Sequence, residues 1–114
     1  METTFKDIVK FCQDNDINLN KVVSFHEIWG DEKTQYEADY DKFEEKFGTV
    51  KVEIDERTME HDTSLLVVSI GTDNDRLYFG GYGSYASYEG SDYDYMTVEE
   101  MQPYQKVITD WKKV

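Results

Sequence analysis

The chain has 114 residues, with 12 basic and 25 acidic side chains, 39% hydrophobic and 15% aromatic residues, and a formal net charge of −13. That length fits one domain, 1–114, and the aromatic content supplies a modest core that a disordered chain would lack. The charge excludes direct binding to nucleic acid or an anionic membrane surface, and no apolar run approaches the roughly 18 residues a transmembrane helix needs.

The first element is a helix over about 4–15, capped by Thr4 with Asp7 three residues on, its apolar face carrying Phe5, Ile8, Val9 and Cys12. Asp14-Asn15-Asp16 ends it. Lys21–Trp29 is open to strand or helix, and the β-branched Val22-Val23 favour a strand. A second helix over 34–47 follows from Tyr36, Tyr40, Phe43 and Phe47, spaced by four, three and four, with Gly48 as its C-cap. Val50–Ile54 alternates as a half-buried strand, Ser64–Ile70 suits a central strand, and Arg76–Phe79 follows a turn at Gly71–Asp75. Together they predict an antiparallel meander. Thr97-Val98-Glu99-Glu100 resembles a capping box, but Pro103 would break a helix begun there. The prediction is therefore a short turn at 97–101 and a helix over about 103–112, with Pro103 near its first position and Tyr104, Val107, Ile108 and Trp111 facing inward. The expected fold is α+β, a small antiparallel sheet of three to four strands packed with helices.

Charge is uneven along the chain: residues 1–50 carry −6, residues 51–100 carry −9, and residues 101–114 carry +2. The strongest candidate site is the acidic run Asp31, Glu32, Glu37, Asp39, Asp41, Glu44 and Glu45, interrupted by Lys33 and Lys42. Glu37, Asp41 and Glu44/Glu45 share one helix face, where like charges destabilise an isolated helix by a few tenths of a kcal/mol per pair. Such a row is compatible with imitating the phosphates of a duplex. It is equally what the solvated face of any acidic amphipathic helix looks like.

The stretch 78–95, YFGGYGSYASYEGSDYDY, holds six of the nine tyrosines among glycines and serines. Tyr, Ser and Gly together compose adaptable binding loops, which marks Tyr82, Tyr85, Tyr88, Asp92, Tyr93, Asp94 and Tyr95 as partner-binding candidates. The same stretch also reads as an edge strand with glycines at bulges.

Metal and catalytic signals are weak. Asp14, Asp16, Asn18 and Asn20 alternate like half a calcium loop, but Leu19 and Phe25 stand where Gly and Glu are needed. His26-Glu27 and Glu60-His61-Asp62 offer donors without metal spacing, so both histidines are expected at the surface. Cys12 lies on an apolar stripe, where a thiol is an inert small hydrophobe. No GxSxG or phosphate-binding loop is present, and the expectation is a non-enzyme with no catalytic residue, no metal and no cofactor. METTFKDIVKF lacks the layout of a signal peptide, and one cysteine permits no internal disulfide, so the expected address is the cytoplasm.

In size, acidity and aromatic α+β character, and in the run Asp31–Glu45, the chain resembles the acidic inhibitors made by phages and mobile elements. These are anti-CRISPR and anti-restriction proteins and uracil-DNA glycosylase inhibitors that imitate DNA. The resemblance implies carboxylates occupying the DNA-binding groove of a basic nucleic-acid-processing enzyme. Two alternatives stay open: an immunity protein or antitoxin facing a basic toxin, and a small housekeeping domain whose acidity serves solubility.

Overall fold

The computed structural model describes residues 3–57, 63–72, 74–86 and 90–103. Among them the order is α1 (Phe5–Asp14), α2 (Leu19–Val23), a 3-10 turn (Phe25–Glu27), α3 (Gly30–Phe47), β1 (Lys51–Arg57), β2 (Thr63–Thr72), β3 (Asp75–Ala86), β4 (Gly90–Asp92) and β5 (Glu99–Met101). The fold is α+β, with helices packed on one face of an antiparallel sheet.

α1 begins as its sequence requires. Thr4 Oγ1 accepts from the Asp7 amide at 3.3 Å, and Asp7 Oδ2 accepts from the Thr4 amide at 2.9 Å, so two amides left over at the helix start are satisfied. Ile8 and Cys12 are buried on its inner face. The Asp14–Asp16 turn leads into Asn18, whose Oδ1 accepts from the Asn20 amide at 3.1 Å and caps α2. The segment from Lys21 is therefore helical, not the strand that Val22-Val23 suggested. Both valines are buried against the core, and that burial outweighs the small helix penalty of β-branched side chains.

α3 is longer than the periodicity predicts, starting at Gly30 instead of Thr34. Its core stripe is as expected: Phe43 is fully buried, and Tyr36, Tyr40 and Phe47 are half-buried beside it. Phe43 meets Phe79 of β3 at 6.2 Å between ring centroids and Phe47 at 4.9 Å, while Phe47 meets Phe11 of α1 edge-on at 5.2 Å. Gly48, at φ 93°, closes the helix where an L side chain would be strained.

β2 is the central strand, paired with β1 and β3, and the β2–β3 pairing runs out to Thr72↔Asp75. Leu66, Val68, Ile70 and Phe79 point into the core at zero exposure. β3 extends to Ala86, well beyond the predicted Phe79, and its outer edge is shared: β5 pairs with Tyr78–Gly80 and β4 with Ser84–Ala86. The segment 97–101 is thus largely a strand, correcting the predicted turn, because the long edge of β3 offers backbone groups that it satisfies. The predicted helix 103–112 lies outside the described residues beyond Pro103.

One irregularity redirects a side chain. The β1–β2 register shifts between Val52 and Ile54, so Val52 opposes Val68 on the helix side while Ile54 opposes Val67 on the outer side. The simple alternation predicted for Val50–Ile54 fails there. After this bulge, Asp55 turns toward the helices.

Candidate functional site

The acidic run of α3 divides into side chains with different neighbours. Asp31 and Glu32 lie exposed in the first turn, where negative charge suits the helix dipole. Glu32 Oε1 takes an ion pair from Lys21 at 2.6 Å. Asp39 is half-buried, close enough to Cys12 that burial and then its charge push the thiol up to about 11, which leaves that sulfur unreactive. Glu44 accepts from the Val50 amide at 2.9 Å and also faces Tyr40. Burial, then the Glu44 carboxylate, raises the Tyr40 phenol to about 12. Glu44 thus ties the end of α3 to the start of β1.

Glu37, Asp41 and Glu45 remain. They are exposed, four residues apart, and rise along the helix in steps of about 6 Å. Among the described residues none of the three joins an ion pair or hydrogen bond.

The tyrosine-rich stretch does not form one adaptable loop. Tyr82 and Tyr85 belong to β3, where a spacing of three alternates faces, so the two sit on opposite sides of the sheet. Tyr82 is 61% exposed on the outer face, and Tyr85 is half-buried on the inner one. Tyr88 lies outside the described residues. Tyr93 is buried at 4% exposure, so it is a core residue and no free contact point, whereas Tyr95 is 94% exposed. Asp92 and Asp94 are exposed, and Asp94 Oδ1 takes the second ion pair of Lys21 at 2.7 Å. Burial works against the Lys21 ammonium, but the hydrogen bonds to Asp94 and Glu32 outweigh it and raise its pKa.

The position of Tyr93 depends on a glycine. A Cβ at Gly83 would come within 2.5 Å of Tyr93 Cδ1 and 2.3 Å of the Asp92 carbonyl oxygen, so only a bare backbone lets the ring lie there. From that position the Tyr93 hydroxyl donates to Asp55 Oδ1 at 2.8 Å. On the other side of the carboxylate, His26 Nε2 lies 2.5 Å from Asp55 Oδ2. Burial alone would raise Asp55, but hydrogen bonds with Glu27, His26 and Tyr93 hold it below the ordinary carboxylate range. The hydrogen bond with Asp55, then burial and then the Asp55 charge, lifts Glu27 to about 7. The two carboxyls therefore share a proton that resides on Glu27 at acidic pH.

His26, Glu27 and Asp55 each present a ligand atom within 4.8 Å of the others. An imidazole with two carboxylates is a donor set suited to a first-row divalent ion. Beside the cluster a cleft of about 180 Å³ is bounded by Glu27, Trp29, Glu32, Asp92, Tyr93 and Asp94. Trp29, 84% exposed, stands at its rim and at the N-cap of α3.

The sequence did not single out Asp55, Trp29 or the role of Tyr93. The pair His26-Glu27 was visible, but its third member depends on the β1 bulge, and no local pattern announces that. Among the described residues, no helix is long and apolar enough to cross a membrane. No protein-family model matches the chain, and neither a curated protein nor a solved structure is similar to it.

Proposed function

We propose that this protein is an acidic inhibitor that binds a basic nucleic-acid-processing enzyme and covers its DNA-binding groove with carboxylates. The observation that carries this reading is the row Glu37, Asp41 and Glu45, exposed on a well-anchored helix with no cation partner among the described residues. The three open carboxylates recur about every 6 Å along α3. One strand of duplex DNA carries one phosphate per about 3.4 Å. With Lys33, Lys42 and Lys46 counted, α3 as a whole carries a net charge of −4 over its 18 residues, about one per 7 Å, which is roughly half that density. Like charges set four apart weaken a helix, so their retention is consistent with use against a positive surface. Trp29 supports the reading from the N-terminal end of α3, since an exposed tryptophan beside carboxylates is the type of side chain that anchors interfaces.

The test has two steps. Immobilised protein is expected to capture a basic protein from a host lysate, and duplex DNA is expected to release it. The captured protein is then measured by surface plasmon resonance, at two salt concentrations, against a Glu37→Gln/Asp41→Asn/Glu45→Gln variant, which takes the net charge from −13 to −10. Affinity should fall at least tenfold, about 1.4 kcal/mol, and the remaining binding should depend less on salt. Capture that DNA does not compete, or unchanged affinity and salt slope, would overturn the proposal.

A further inference from the structure

Carboxylates are abundant on this chain, but one group differs by including an imidazole and by drawing on two elements far apart in sequence. Among the described residues, His26, Glu27 and Asp55 alone bring three ligating atoms within 4.8 Å of one another. His26 and Glu27 come from the turn between α2 and α3, and Asp55 comes from β1, past its bulge. Their spacing is close to that of a metal centre. Two ligands of a tetrahedral zinc ion, each about 2.0–2.1 Å from it, lie roughly 3.3 Å apart. His26 Nε2 stands 3.6 Å from Glu27 Oε1 and 2.5 Å from Asp55 Oδ2. An ion therefore needs the first pair to close by about 0.3 Å and the second to part by about 0.8 Å, both small side-chain shifts.

What surrounds the three also suits a cation. Tyr93, seated over Gly83, donates its hydroxyl to Asp55 Oδ1 at 2.8 Å, so one carboxylate oxygen is oriented while Oδ2 is left toward His26. Carboxylates that bind metals are commonly fixed in this way by a hydrogen bond from outside the ligand set. Glu27 and Tyr93 also border the cleft of about 180 Å³, together with Glu32, Asp92 and Asp94 and no basic side chain. Lys21 reaches Glu32 and Asp94, at 2.6 and 2.7 Å, and leaves Glu27 and Asp92 to the cleft. The three ligand side chains are partly exposed, so an ion has a way in and room for water at its remaining position. The one thiol of the chain, Cys12, is buried in the core and does not compete as a ligand.

We propose that His26, Glu27 and Asp55 bind a divalent ion of the zinc class, with its open coordination position toward the cleft beside Trp29. The ion takes the place of the hydrogen between His26 and Asp55 and ties the turn before α3 to β1. The imidazole sets the selectivity, since a carboxylate-only site would favour magnesium or calcium. This inference does not depend on the inhibitor reading.

The test is a zinc titration of the metal-free full chain, followed by calorimetry and by the nuclear magnetic resonance signals of the histidine rings. One zinc ion per chain is expected, with the His26 ring protons shifting to saturation while those of His61, the other histidine, do not. Magnesium or calcium in excess should not displace it. His26→Gln should weaken binding by more than the roughly tenfold expected for Tyr93→Phe, which removes the hydrogen bond that orients Asp55. His61→Gln should leave it unchanged. Several weakly held ions per chain, displaced by magnesium, would assign the binding to the acidic surface at large. A shift of the His61 ring, with loss of binding in His61→Gln, would move the site to Glu60-His61-Asp62. Either result overturns the proposal, as does a zinc affinity unchanged by His26→Gln. The ring shift needs no substitution, so it decides the matter even where a variant folds poorly.

Discussion

Two groups of carboxylates on this molecule look alike in composition and differ in what surrounds them. On α3, Glu37, Asp41 and Glu45 face solvent with no partner among the described residues. At the junction of β1 with the 3-10 turn, Asp55 accepts from Tyr93, contacts His26 and shares a proton with Glu27. The comparison shows that acidity alone carries no functional information. A carboxylate whose lone pairs are occupied inside the fold holds the structure, and one left open is available to a partner. Glu44 marks the boundary, since it sits in the α3 run yet is tied to the Val50 amide.

The largest expected effect breaks the internal group at its support. Gly83→Ala places a methyl 2.5 Å from the Tyr93 ring and 2.3 Å from a backbone oxygen, and backbone cannot yield as a flexible side chain would. The expected cost is about 2–3 kcal/mol by chemical denaturation, the upper part of the range for forcing extra volume into a packed site. A loss below roughly 0.5 kcal/mol, the scale of neutral surface substitutions, would mean that Tyr93 is not held against β3. Tyr93→Phe is milder. It keeps the ring and removes the hydroxyl bond to Asp55, an acceptor that water can still reach, so about 1–2 kcal/mol is expected from the same measurement. In that variant Asp55 should also titrate higher, since one of the bonds holding it down is gone.

Why the exposed row was legible in the sequence and the internal cluster was not follows from the range of the interactions. The stripe Tyr36, Tyr40, Phe43, Phe47 fixes which side of α3 faces the core, and the opposite side is then determined by helical geometry alone. The Thr4–Asp7 cap, the C-cap at Gly48 and the central place of β2 are local in the same sense. Asp55 is not. Its inward turn needs the bulge after Val52, and its partners come from residues 29 positions before and 38 after. Tyr, Ser and Gly together read as a loop that holds Tyr82, Tyr85 and Tyr93, but pairing with β2 makes Tyr82 a strand residue, pairing with β4 does so for Tyr85, and Gly83 opens a seat for Tyr93. The strand preference of Val22-Val23 failed for a related reason, because tertiary burial of both valines decides that helix.

A pH experiment sharpens the comparison further. Glu27 titrates at about 7 in the fold against an ordinary value of 4.5, so the folded state binds more protons than the unfolded state between those values. The stability it contributes is present below about 4.5 and is lost as pH rises through 7. Asp55 has the opposite sign, its contribution being lost only as pH falls below its ordinary 3.8. Glu27→Gln mimics the protonated carboxyl, so it should be more stable than the native chain at pH 8, with the difference closing by pH 5. Its side chain is 37% exposed, so solvent screening limits the gain to about 0.5–1 kcal/mol. Thermal melts at the two pH values check this, and a difference that does not change with pH would dissociate Glu27 from Asp55. A divalent ion held by His26, Glu27 and Asp55 needs Glu27 ionised, as it is at pH 8, so zinc added there should raise the melting temperature of the native chain more than that of the Gln variant.

The smallest effect concerns the exposed row and has the opposite direction. Replacing Glu37, Asp41 and Glu45 with Gln, Asn and Gln removes two i,i+4 repulsions, 37–41 and 41–45, and breaks no bond among the described residues. Stability should therefore rise by a few tenths of a kcal/mol per pair removed, and the gain should shrink with added salt as the repulsion is screened. Glu44→Gln is the control within the same run. It weakens the bond to the Val50 amide and relieves the charge beside Tyr40, so it should lower stability while bringing the Tyr40 phenol down from about 12. Denaturation of both variants at low and high salt separates the two roles. If the triple variant lost stability as Glu44→Gln does, the row would be part of the scaffold. Its openness to a basic partner would then no longer follow from its position on α3.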